Sequence, residues 1–115
     1  MSFDIIKSIN IIEIMENYMA KVRPEPAIRN KFDISYEIEN NSVTLNEIRP
    51  VWNDPQKKIK LGYAKTTYVK CKNIWNVFWK RSDNKWHLYA PQPNVSELTD
   101  FLKLVDKDEH GCFKG

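Results

Sequence analysis

The sequence predicts an α+β two-layer sandwich: an antiparallel sheet of about five strands with an N-terminal and a C-terminal helix on one face. Three observations predict it. Apolar residues recur at helical steps near the two ends, from about Asp4 to Val22 and from Asn94 or Ser96 to Val105. Between them, polar and apolar residues alternate, with aromatic and β-branched types prominent. Turn formers such as Asn40-Asn41 and Ser82-Asp83-Asn84 are placed to join sequential strands into a meander.

The first helix is capped by Ser2 or Asp4 and stopped by Pro24 and Pro26. Its expected buried stripe is Ile5, Ile9, Ile12, Met15, Met19 and Val22, with Lys7, Asn10, Glu13 and Asn17 lying away from it. Ile6, Ile11 and Ile14 widen the apolar face, which implies cover on more than one side or a contribution to a homodimer. Isoleucine lowers helix propensity, so packing has to hold this element.

In the first strand, over residues 31–39, Phe32, Ile34, Tyr36 and Ile38 alternate with Asp33, Ser35, Glu37 and Glu39. The return strand, 42–49, puts Val43 and Leu45 on the core side, and Glu47 and Arg49 follow on that side. Opposite charges at i and i+2 on an inward face read as an ion pair at the sheet's end; the alternative is a carboxylate–guanidinium site. Pro50 ends the strand, and Trp52, in the loop VWNDPQKK, is expected to fold back as a lid on the core. Residues 59–70 return as strand, with Gly62 marking a bulge or a close approach.

The stretch from Asn73 to Tyr89 reads as a β-hairpin and holds Trp75, Trp79 and Trp86. A two-residue turn at Asp83-Asn84 sets Trp79 opposite Leu88 and Arg81 opposite Trp86. One face then carries Trp75, Val77, Trp79, Trp86 and Leu88, and the other Asn76, Phe78, Lys80, His87 and Tyr89. A longer loop instead puts Trp79 beside His87 and spreads aromatics over both faces. Each buried ring removes about 150–250 Å² from water, so an inward tryptophan cluster is worth several kcal/mol at about 25 cal/mol per Å². Pro91 and Pro93 then interrupt pairing. The second helix buries Val95, Leu98, Phe101, Leu102 and Val105, and DKDEHGCFKG forms an irregular tail.

A chain of 115 residues fits one domain, 1–115, that needs no metal or disulfide staple. With 42% hydrophobic and 29% charged residues it has the composition of a soluble globular protein. No run approaches the roughly 18 apolar residues of a membrane span, and the acid-interrupted start is not a signal peptide. Cys71 and Cys112 have no framework spacing, so the cytoplasm is the expected compartment. No cofactor or metal is expected: His110, Cys112 and Asp108 are the only local ligand cluster, and phosphate-loop glycines are missing.

The net charge of +3 is unevenly spread. Lys57, Lys58, Lys60, Lys65, Lys70, Lys72, Lys80, Arg81 and Lys85 face a single acid, Asp83, across that stretch, while Glu97 to Glu109 is acidic. The expected site is therefore a basic and aromatic sheet face of Lys65, Phe78, Lys80, Arg81, Lys85, His87 and Tyr89. Lysines for phosphates interleaved with rings for bases suit a nucleic acid. A protein-interaction or regulatory module, with a protein partner or a second copy on this face or on the first helix, is the competing class. A small enzyme centred on Glu47, Arg49 and His87 is the third.

Certain residues carry a family likeness. Leu45-Asn46-Glu47-Ile48-Arg49-Pro50 with Trp52, the pieces Trp75-x-Val77-Phe78-Trp79 and Lys85-Trp86-His87-Leu88-Tyr89, and the ending Asp108-Glu109-His110-Gly111-Cys112-Phe113-Lys114-Gly115 resemble a family of small bacterial proteins, domain of unknown function 3024. The likeness runs over nearly the whole chain, with Lys114 where the family usually has an aromatic. It implies a single domain and brings no activity with it.

Overall fold

A computed structural model describes residues 3–113. Helix α1 (Ile5–Val22) is followed by strands β1 (Asp33–Glu39), β2 (Ser42–Val51), β3 (Asp54–Val69), β4 (Ile74–Lys80), β5 (Trp86–Leu88) and β6 (Asn94–Val95), then helix α2 (Leu98–Lys107). All strand pairs are antiparallel in the order β1-β2-β3-β4-β5, and β6 also pairs with β4. Val43, Leu45, Ala64, Thr66, Trp75 and Val77 alternate to one side of this open sheet and are buried. Ile11, Met15, Tyr18 and Met19 of α1 and Leu98, Phe101, Leu102 and Val105 of α2 are buried with them. Both helices thus share one face, as the sequence predicts.

Local chemistry fixes the helices. The Asp4 carboxylate accepts from Lys7 N at 2.8 Å and caps α1; Ser2, the other expected cap, lies outside the described residues. At its other end the Arg23 guanidinium grips the Asp33 carboxylate through two bonds of 2.8 Å. The Tyr18 hydroxyl donates to Asp106 at 2.6 Å and joins α1 to α2. Burial, then that bond, pushes its phenol well above the ordinary value.

Four expectations are corrected. The buried stripe of α1 is rotated: Ile11, Met15, Tyr18 and Met19 face the sheet, while Ile5 (79% exposed), Ile6, Ile9 and Ile12 stand in solvent. The helix is apolar on two sides, and only one can meet the sheet. Second, β2 continues through Pro50 to Val51, and β3 begins at Asp54. The last β1 pairing is Asp33 with Ile48, so Pro50 stands on an edge, where a missing donor costs least. Trp52 is therefore the tip of a hairpin, 93% exposed, and no lid. Third, Asn94–Val95 pairs with β4 and α2 starts after Glu97.

The fourth correction is the register of the β4–β5 hairpin. Arg81 N donates to Lys85 O at 3.2 Å and Asn84 N to Arg81 O at 2.8 Å, with Asn84 at φ 63°. The loop is Ser82-Asp83-Asn84, with its last residue in the left-handed region. Asp83 braces it by accepting from Lys85 N at 2.9 Å and pairing with His87 Nε2 at 2.8 Å. Phe78 now lies opposite Leu88, Trp79 opposite His87 and Lys80 opposite Trp86. A slip of one residue exchanges the faces of the whole return strand.

Candidate functional site

The sheet's other face carries neither helix. Its register runs Ser35 opposite Asn46, Asn46 opposite Gly62, Thr44 opposite Lys65, Lys65 opposite Phe78, Phe78 opposite Leu88 and Lys80 opposite Trp86. Gly62 is the pivot. The sheet register shifts beside it, with Tyr63 as the extra residue, and the Trp86 ring rests on its backbone. A Cβ at Gly62 would stand 2.9 Å from Trp86 Cζ2, closer than any side chain tolerates. Lys80 Nζ lies 5.1 Å and Lys65 Nζ 5.9 Å from the Trp86 ring centroid. Contacts of this kind are worth about 0.5–1 kcal/mol each at exposed sites, so an incoming ring can displace both amines.

Under the indole is Asn46, 5% exposed, whose Oδ1 also approaches the position a Gly62 Cβ would take. Among the described residues Asn46 Nδ2 has no hydrogen-bond partner, and neither does Ser35 Oγ, its opposite number on β1. Buried polar groups without partners are uncommon, and two facing each other behind one aromatic are a local peculiarity of this face.

Of the residues expected on the basic face, Lys65, Phe78 and Lys80 share it. Arg81 and Lys85 are exposed at the adjoining turn, with the Arg81 guanidinium 5.6 Å from the Trp79 ring. His87 and Tyr89 do not belong there. His87 sits beside Trp79 on the helix side, held by Asp83, whose carboxyl that bond keeps below the usual carboxylate range. Tyr89 is 1% exposed: its N–H donates to Val77 O, and Phe113 packs on its ring at 4.8 Å. The tail is brought back by Asp108, whose carboxylate accepts from Phe113 N at 3.0 Å. Lys114 and Gly115 lie outside the described residues. Trp86 and Leu88, assigned to the core from sequence, take the two vacated places. Gly62 was the available signal, since a glycine in mid-strand marks where something lies on the backbone.

Arg49 Nε is 3.1 Å from Glu47 Oε2 at the sheet's end, with the Arg49 guanidinium 4.8 Å from the Phe32 ring. Nearby Tyr63 has its phenol raised, first by burial and then by Glu47. His87 belongs to β5, three strands from β2, and its ring is engaged at the turn. Glu47, Arg49 and His87 therefore share no site. A groove of about 930 Å³ lies elsewhere, between the start of α1 and the end of β3, walled by Phe3, Lys7, Asn41, Tyr68, Val69 and Cys71. Lys7 Nζ covers the Tyr68 ring in it at 3.8 Å. No group of three or more His, Cys, Asp or Glu among the described residues is placed to hold a metal ion. No helix among them is long and apolar enough to cross a membrane.

These features define a class: a small open-sheet α+β protein with its helices on one side and a lysine-flanked tryptophan on the other. Residues 4–115 match the family model of a domain of unknown function, DUF3024, and the chain belongs to that family. No curated protein and no solved structure matches it.

Proposed function

We propose that this protein is a non-catalytic nucleic-acid-binding module that uses the uncovered face of its sheet. The observation that carries the reading is the half-buried Trp86, whose ring edge seats on Gly62 with the amines of Lys65 and Lys80 near the ring. An aromatic platform gives bases a stacking surface, worth about 1–3 kcal/mol per base, and amines released from the ring reach flanking phosphates. Phe78 adds a second ring to that face beside Lys65, and the exposed Arg81 and Lys85 add positive charge at the neighbouring hairpin turn. Fluorescence anisotropy with labelled oligonucleotides, titrated with salt, tests it. Affinity is expected to fall steeply, with a log–log slope of about −0.7 to −0.9 per phosphate contact. No binding of DNA or RNA at low salt sinks the proposal.

A second reading, a protein-interaction module, is favoured by Ile5, Ile6, Ile9 and Ile12 of α1, which stand together in solvent. Contiguous exposed apolar patches mark association surfaces when they exceed a few hundred Å². Light scattering across a concentration series tests this reading: association through α1 raises the mass with concentration and leaves the opposite sheet face free to bind.

A further inference from the structure

We infer that the strand bound is single, and that Trp52 at the tip of the β2–β3 hairpin is its second stacking platform. The inference rests on the nucleic-acid reading and adds strandedness, a path and a residue which that reading does not use. Trp52 is the most exposed of the large hydrophobic side chains among the described residues, at 93%. An indole so placed removes almost no apolar area from water, so burial gives no reason for it.

The tip is an arm. The last pairing of β1 is Asp33 with Ile48, and β4 pairs with β3 only from Ala64 onward. Beyond those points β2 and β3 have only each other, closing at Val51 opposite Asp54. Along β2, Asn46, Ile48 and Pro50 lead on the outer side from the Trp86 platform towards Trp52. Beside them β3 supplies Lys60 opposite Ile48 and Lys58 opposite Pro50. Lys60 pairs with Glu37, while Lys58 is exposed and has no carboxylate partner among the described residues. The six residue steps from Asn46 to Trp52 cover about 20 Å.

A lysine-bearing track with an aromatic at each end fits a chain with phosphates along its length and bases free to turn outward. A duplex keeps its bases stacked inside and offers neither indole a face. The separation calls for a strand of at least about four nucleotides, the low end of site sizes on comparable sheet surfaces.

The test uses labelled oligothymidylates of about three and about twelve nucleotides, and a duplex of the longer length. Native protein and Trp52→Ala are compared by anisotropy, with urea midpoints verifying that the variant is folded. Native protein is expected to prefer the longer single strand to the duplex. Trp52→Ala should lose roughly tenfold on the longer strand and keep its affinity for the shorter one. Equal affinities of variant and native protein on both lengths, or tighter binding of the duplex, overturn the inference and leave the sheet-face reading standing. Failure of the native protein to bind any of the three overturns that reading and the inference with it.

Discussion

The two faces of the sheet each carry tryptophan, and they use it differently. On the helix side Trp75 is buried among Val77, Val95 and the helices, with Phe3 and Tyr68 tilted against its ring. On the outer side the half-buried Trp86 meets the backbone of Gly62 and has the amines of Lys65 and Lys80 near its ring. The first indole is held by a closed shell of neighbours and the second by a single missing side chain. Aromatic content therefore does not say which face is the core. What decides is whether a second layer covers the ring.

That contrast is broken most sharply from the covered side. Phe101 of α2 is fully buried against the sheet. Phe101→Ala should cost about 3–5 kcal/mol, because the cavity is walled by strands and helices that relax only partly. Urea denaturation measures it, and a loss under about 1 kcal/mol would mean the helix side is not the closed core described.

The outer face is tested by filling its one gap. Gly62→Val places a side chain where the Trp86 ring lies, so the indole has to leave its seat at about 1–3 kcal/mol. The loss should shrink when Trp86→Ala is added, since the clash then disappears; additive losses in this double-mutant cycle would show that something other than the indole meets the new side chain.

The sequence was informative where a pattern has one solution and silent where it has two. Helical periodicity at the ends and alternation between them leave one arrangement of layers, and that arrangement is present. The rotation of α1 was not legible, because isoleucines line both of its sides and only the docked helix shows which pair of turns meets the sheet. The hairpin register turned on Asp83. Its side chain can brace a three-residue loop as well as its backbone can enter a two-residue one, and the bond to His87 that favours the longer loop spans the turn. Trp86 was misassigned by that slip, and with it Leu88, His87 and Tyr89. Tyr89 is hidden by Phe113, whose position depends on the Asp108 bend, a contact no local pattern announces. Lys65, Phe78 and Lys80 lie on the outer face as expected, because their alternation does not depend on the turn.

The two faces meet at the sheet's edge, and the ion pair there gives the smallest and most specific effect. Asp33 alternates with the inward Ile34 and so belongs to the outer side, yet it is held by Arg23, the C-cap of α1 on the helix side. The Arg23 bond keeps the Asp33 carboxyl below the usual carboxylate range, with the Ile34 amide adding to it. A carboxyl whose folded value is depressed stabilises the protein fully above its unfolded value, near about 4, and loses that contribution as pH falls through the folded one. Arg23 is 44% exposed, so solvent screening keeps the pair's contribution small. Asp33→Asn should therefore unfold slightly more easily than the native chain at neutral pH, with a lower urea midpoint. The gap should hold down to about pH 5, begin to close below about pH 4, and vanish once pH has fallen through the depressed folded value and the native carboxyl has taken up its proton. A gap that stays open in acid would show that the asparagine disturbs the edge by its shape, and that the charge does not tie the helix layer to the strand.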